Sequence, residues 1–165
     1  MLFHERQQFR QAGLWLVLGL VTGSVLLLLG LSAYRERGPH HEGHAPGFLL
    51  VVAAALVIHA AVLLLVRHAR LDVTVTAEAV EIRFAPFHRR TRRIPLIDIA
   101  DARRRHYRPL AEYGGWGIRL GLSGIAYNVS GSEGVQLVLT SGRRILIGSQ
   151  RSGELEAAIR RARGG

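Results

Sequence analysis

The stretch VTVTAEAVEIRF, residues 73–84, decides how this chain is read. Val73 and Val75 alternate with Thr74 and Thr76, and Val80, Ile82 and Phe84 alternate with Glu81 and Arg83. A period of two puts alternate side chains on opposite faces of an extended backbone, so the stretch predicts two half-buried strands joined near Ala77–Ala79. The residues before it follow a different pattern. GLWLVLGLVTGSVLLLLGLSA (residues 13–33) and GFLLVVAAALVIHAAVLLLV (residues 47–66) are uncharged apart from any proton on His59. A helix needs roughly 20 apolar residues to cross a hydrocarbon core of ~30 Å, and each run has that length. The change of period after Arg70 therefore separates two expected membrane spans from a small β-domain.

These spans explain an odd pairing in the composition, a formal net charge of +10 beside a mean hydropathy of +0.17. The apolar residues are concentrated in the two runs, and residues 71–165 carry sixteen arginines against nine acids, a net of about +7. The chain has no cysteine, which excludes disulfides, thiolate metal sites and cysteine nucleophiles. It has no lysine either, a pattern expected of a GC-rich bacterial coding sequence. A secretory signal would show an apolar region of about 7–15 residues before a small-residue cleavage site. The first run is longer and ends GLSAYRER, so an uncleaved hairpin is expected. Arg6 and Arg10 precede it, Arg67 and Arg70 follow it, and the loop holds Arg35 and Arg37. Counted with the arginine-rich tail, the positive-inside bias puts both termini in the cytoplasm, at the bacterial inner membrane. The expected organisation is a cytoplasmic segment over residues 1–12, spans over 13–33 and 47–66, an external loop over 34–46, and a cytoplasmic domain over 71–165. The sequon at Asn128 then has no bearing.

Within the first span Gly19 and Gly23 form a GxxxG pair, which lets helix backbones approach closely. Packing within the hairpin is the first expectation for that pair, and association of two copies the second. His59, in mid-span, is expected to hydrogen-bond the neighbouring helix. The loop RGPHHEGHAPG places His40, His41 and His44 beside Glu42. Neutral imidazoles ligate zinc, copper and nickel, so the three form a weak metal-site candidate. The zincin pattern fails here, because its glutamate must directly follow the first histidine on a helix, and glycines and prolines surround this cluster. A solvated turn is the plainer reading, and no cofactor is expected.

C-terminal to residue 84, HRRTRRIPLIDI (residues 88–99) predicts a third strand, bent or at an edge because Pro95 lacks a ladder donor. IADARRRHYR (residues 99–108) predicts a fourth strand beside it. Val135, Leu137 and Leu139 then pair through a turn at Ser141–Gly142 with Ile145 and Ile147. The last segment is helical, with Ser152 as N-cap, Glu154 and Glu156 in the first turn, and Arg160, Arg161 and Arg163 in the last. Leu155, Ile159 and Ala162 make its apolar stripe. The expected fold class is thus α+β: a two-helix transmembrane hairpin, then an antiparallel β-barrel or sandwich of about seven strands closed by a C-terminal helix.

That order of elements resembles the pleckstrin-homology-like (PH-like) domains of small bacterial membrane proteins. The resemblance is carried by IPLIDI (residues 94–99), YGGWGIR (113–119), AYNVSG (126–131), GVQLVL (134–139) and RRILIGSQRSGELEAAI (143–159). It implies a fold and a location, without a substrate.

EYGGWGIRL (residues 112–120) poses the one question about nucleotides. A phosphate-cradling glycine loop opens directly into a helix, and a P-loop adds Lys-Ser or Lys-Thr. Here Ile118, Arg119 and Leu120 follow Gly117 as an alternating strand, and Trp116 is expected to anchor the domain at its core or rim, its indole buried. GLSG at Ser123 is not the nucleophile elbow, and Asp98 and Asp101 read as turn and surface residues, so no enzyme is expected. The remaining candidates are basic: Arg89, Arg90, Arg92 and Arg93 in one cluster, Arg103, Arg104, Arg105 and Arg108 in another. Each arginine close to an anionic leaflet contributes ~1 kcal/mol of attraction. Aromatic platforms for single-stranded nucleic acid are sparse, so nucleic acid is not an expected partner. Three functions are consistent with the sequence: a docking or scaffold module for a protein partner or a second copy, a sensor of anionic lipid, or metal binding by the loop.

Overall fold

The computed structural model describes residues 1–9, 12–35, 46–121 and 124–164. The loop histidines His40, His41 and His44 lie outside the described residues. Two compact units emerge: Met1–Phe9 with His68–Gly165, and Arg10–Arg67.

The first unit is built on two sheets. One is an antiparallel meander of β1 (Phe3–Gln8), β2 (Arg70–Val75), β3 (Ala79–Ala85) and β4 (Arg92–Pro95), in that order. The other contains β5 (Ile99–His106), β6 (Gly117–Gly121), β7 (Gly124–Asn128), β8 (Glu133–Leu139) and β9 (Arg144–Gly148), ordered β5-β8-β9-β7-β6. Only the β7–β9 pair is parallel. Alternation does what the sequence predicts in β2 and β3: Leu71, Val73, Val75, Val80, Ile82 and Phe84 all point inward, each at most 1% exposed. Ile99, Val135, Leu137, Ile145 and Ile147 meet them from the second sheet in a single core. The two ladders are separate, so the domain is a sandwich and not one closed barrel.

Helix α1 (Ala12–Arg35) and helix α2 (Pro46–His68) make up the second unit, described below. After β5 comes a short α3 (Pro109–Tyr113), and the chain ends in α4 (Ser152–Ala162), which packs on β1, β2, β5 and β8. Leu155, Ala158 and Ile159 of α4 are fully buried, so the helix closes the core that both sheets share. Burying a Leu or Ile side chain contributes roughly 1.5–3 kcal/mol, which makes this seam a main source of stability. Ser152 is not the cap that the sequence suggests. Arg151 holds the N-cap position without a side-chain capping bond, while Ser152 is buried and its hydroxyl donates to Glu133 Oε2 at 3.2 Å. The adjacent Ser149 Oγ accepts from the Arg151 amide at 3.0 Å instead.

Nine strands are present among the described residues, against about seven expected, and the most consequential addition is β1. The first residues are no separate segment: Phe3 pairs with Val75 and Gln8 with Arg70 along the whole of β2. The strand is hidden in the sequence because two of its three inward positions, Glu5 and Gln7, are polar. Both are buried with partners. Glu5 accepts from Ser149 Oγ at 2.5 Å and from the Gln150 amide at 2.9 Å, and Gln7 Nε2 donates to the Gly148 carbonyl at 2.8 Å. These bonds tie the first sheet to the end of β9 in the second.

In the other unit, stretches of 18 residues in α1 (Trp15–Ser32) and 19 in α2 (Leu50–His68) have mean hydropathies of 2.1 and 2.5, and none of either is buried within the protein. At 1.5 Å per residue both helices exceed the ~30 Å of a hydrocarbon core. They meet through Thr22 Oγ1 and His59 Nε2, 2.6 Å apart, with Thr22 also donating to the Leu18 carbonyl at 2.7 Å. His59 thus has the interhelical bond expected of it. Among the described residues Gly19 and Gly23 do not mediate this contact, since a Cβ added at either would meet nothing within 4 Å beyond its own helix. The hairpin closes on a polar pair where a small-residue groove was the first expectation.

Candidate functional site

The eight candidate arginines separate into two groups once their neighbours are known. β4 and β5 belong to different sheets, so the two basic clusters do not share one strand ladder as expected. The single 3-10 turn Leu96–Asp98, entered from Pro95, carries the chain from one sheet to the other. Along β5 the charge is largely neutralised. Arg103 pairs with Asp101 at 2.6 Å, Arg104 with Glu133 at 2.9 Å, and Arg105 with Glu112 while also donating to Gln136 Oε1 at 3.0 Å. Arg104 holds the Glu133 carboxyl below the usual carboxylate range. In β4, Arg92 donates to Tyr127 Oη at 2.5 Å and Arg93 faces Glu81 at 3.9 Å. Among the described residues, the guanidinium groups of Arg89, Arg90 and Arg108 have no such partner.

Arg89 and Arg90 lie in the β3–β4 turn, residues 86–91, and strand register fixes where that turn sits. Gln8 of β1, Arg70 of β2 and Ala85 of β3 are consecutive partners across the first sheet. The turn therefore leaves the sheet at the end where Phe9 exits the domain and His68 returns to it. Phe87 is 55% exposed there, its ring 5.8 Å from that of buried Phe84, which in turn lies 6.3 Å from Phe9. His88 folds back under the turn: its Nδ1 accepts from the Phe84 amide at 3.3 Å and its ring meets Tyr127 edge-on. Burial, reinforced by the Arg92 guanidinium, lowers the His88 pKa below its ordinary value.

The glycine segment resolves as the sequence suggests, with a strand and no helix after Gly117. What the sequence did not indicate is α3, only five residues long and opened by Pro109. Gly114 ends it with φ of 68°, a left-handed conformation suited to glycine. Gly121 lets the helix lie against β6, since a Cβ there would come within 2.7 Å of the Glu112 carbonyl. Trp116 is a rim residue and not a core one: its indole is half-buried and donates to the Gly131 carbonyl at 3.3 Å. Beyond it β6 is an edge strand, pairing only with β7 among the described residues, and it displays Ile118 and Leu120 at 37% and 83% exposure. Two residues apart, these side chains share one face of the strand.

Elsewhere, Met1–His4 and α4 frame an open depression lined by Arg151, Glu154 and Arg161. Tyr107 and Tyr113 pack edge-on in a small cluster with Ala126 of β7 and Leu146 of β9, and burial raises the pKa of both. Among the described residues no three His, Asp or Glu side chains converge in a metal-binding arrangement. Compared with known proteins, the chain matches no family model, no curated protein and no solved structure.

Proposed function

We propose that this chain is a bacterial inner-membrane protein, anchored by a two-helix hairpin, whose PH-like domain serves on the cytoplasmic side as a non-enzymatic docking module. The observation that carries this reading is the β1–β2 pairing across the hairpin. The chain leaves the domain after β1, runs through two helices of span length, and returns as the adjacent antiparallel strand. Two crossings bring it back to the side it left, so a hairpin that spans the bilayer is compatible with the pairing and a single crossing is not. The arginine excess of residues 71–165 favours the cytoplasmic side. Support for the PH-like reading comes from the sandwich architecture and from the C-terminal α4 packed across both sheets.

The docking surface in this reading is β6. An edge strand offers unpaired backbone donors and acceptors, and natural domains usually shield such edges with charge or cover. Here α3 lies against part of β6 and Arg119 stands between Ile118 and Leu120, but these two still present apolar side chains beside the ladder, the arrangement that strand addition uses. Purification of the full-length protein from its native membranes in mild detergent, followed by mass spectrometry, tests this. A stoichiometric companion is expected with the parent chain and not with Leu120→Glu. A parent chain that purifies alone or only with itself would overturn the docking reading.

A further inference from the structure

We infer that the β3–β4 turn is a membrane-contact loop, which seats Phe87 in the headgroup region and lays Arg89 and Arg90 against the phosphates of anionic lipid in the same bilayer that holds the hairpin. The inference rests on the membrane anchoring proposed above and adds a specific site and ligand class to it.

Three observations converge on this turn. Register places it at the end of the first sheet that is covalently joined to the spans: β2 starts at Arg70, directly after α2 ends at His68. Of the eight candidate arginines, its Arg89 and Arg90 share with Arg108 the lack of a guanidinium partner among the described residues, whereas Arg92 and Arg103–Arg105 are committed to partners within the domain. Between the sheet and those arginines stands Phe87, exposed at its tip yet backed by Phe84, so the ring is held outward by packing. An aromatic ring with adjacent guanidinium groups suits the bilayer interface, where rings sit at headgroup level and cations meet phosphate.

The opposite end of the same sheet serves as an internal comparison. There lie the β2–β3 turn and the 3-10 turn, with Ile97 at 86% exposure. Apolar exposure alone therefore does not distinguish the two ends. Charge does so within the sheet's own turns, because residues 76–78 and 96–98 carry Glu78 and Asp98 and no arginine. Arg143 of the β8–β9 turn does lie beside them, the Thr140 amide of that turn donating to the Asp98 carbonyl. An anionic surface is complementary to residues 86–91 and repelled by residues 76–78 and 96–98.

The absence of native cysteine permits a single-label test on the full chain. Phe87→Cys, Ile97→Cys and Ala60→Cys, the last within α2, each carry a nitroxide. All are reconstituted in vesicles of phosphatidylcholine alone or mixed with phosphatidylglycerol. Relaxation by oxygen, which partitions into lipid, is compared with relaxation by a water-soluble nickel complex. The Phe87 label is expected to be oxygen-dominated in the mixed vesicles and to return to the nickel-dominated value of the Ile97 label when Arg89→Ala and Arg90→Ala are added. A Phe87 label as water-exposed as the Ile97 label in mixed vesicles would overturn the inference. So would immersion that is indifferent to phosphatidylglycerol or to the two arginines. The Ala60 label separates this failure from failure of the anchoring itself, which a nickel-dominated signal at residue 60 would reveal.

Discussion

Trp116 and His88 are the side chains whose surroundings differ most from what their types suggest. A tryptophan among glycines in a β-domain reads as a core or rim anchor with a buried indole, and here the indole is half-buried, with one bond of 3.3 Å to the Gly131 carbonyl. Trp116→Ala should therefore cost about 1–2 kcal/mol, the net worth of a hydrogen bond plus part of the burial of an indole. Leu155→Ala, which empties a fully buried position on α4, should cost about 2–5 kcal/mol. Thermal unfolding of the two variants side by side checks the order. His88 gives a pH dependence of known sign. Its folded pKa lies below the unfolded value of 6.5, because burial and Arg92 disfavour the imidazolium, and its Nδ1 accepts a backbone bond only when unprotonated. The neutral form stabilises the fold. That contribution is fully present above about pH 6.5 and is lost as pH falls through the lowered folded value. Domain stability should decline between pH 7 and pH 5, and His88→Gln should flatten the decline, as read by denaturant unfolding at each pH.

Among the elements, those with a strong period were legible in the sequence. β2, β3, β8, β9 and α4 all follow from apolar spacing, and both long helices from length and hydropathy. The arginine clusters could be seen, but the neutralisation of Arg104 by Glu133 and of Arg105 by Glu112 could not, because folding brings those partners close, whereas Asp101 is only two residues from Arg103 on the same strand. β1 was masked for a related reason. Glu5 and Gln7 face the interior, and their partners Ser149, Gln150 and Gly148 lie more than 140 residues away in sequence. This has a practical consequence. Residues 71–165 alone lack β1, leaving the edge of β2 open and the Ser149 hydroxyl without its buried acceptor. Because Gln8 and Arg70 are direct partners, Phe9 joined to Ala69 through Asn-Gly should make a hairpin and replace the apolar helices. The joined chain should be soluble and unfold cooperatively, while residues 71–165 alone should melt at a lower temperature or fail to fold. Circular dichroism melts of the two distinguish these outcomes.

In the whole molecule an apolar hairpin interrupts the sequence of a basic two-sheet domain, with β1 before it and β2–β9 after it. The docking edge proposed at Ile118 and Leu120 and the lipid contact inferred at Phe87 would be separate surfaces of one domain, and both readings require that domain to be held at the membrane. We propose that β1 and the rest of the domain occupy the cytoplasmic side while the loop expected over residues 34–46 lies outside. Labelling of single cysteines with a membrane-impermeant maleimide, in intact and permeabilised cells, tests this most directly. Cysteine in place of His41 should react in intact cells, and Leu2→Cys and Glu78→Cys only after permeabilisation. Reaction of residues 2 and 78 from opposite sides, or of all three without permeabilisation, would contradict the account.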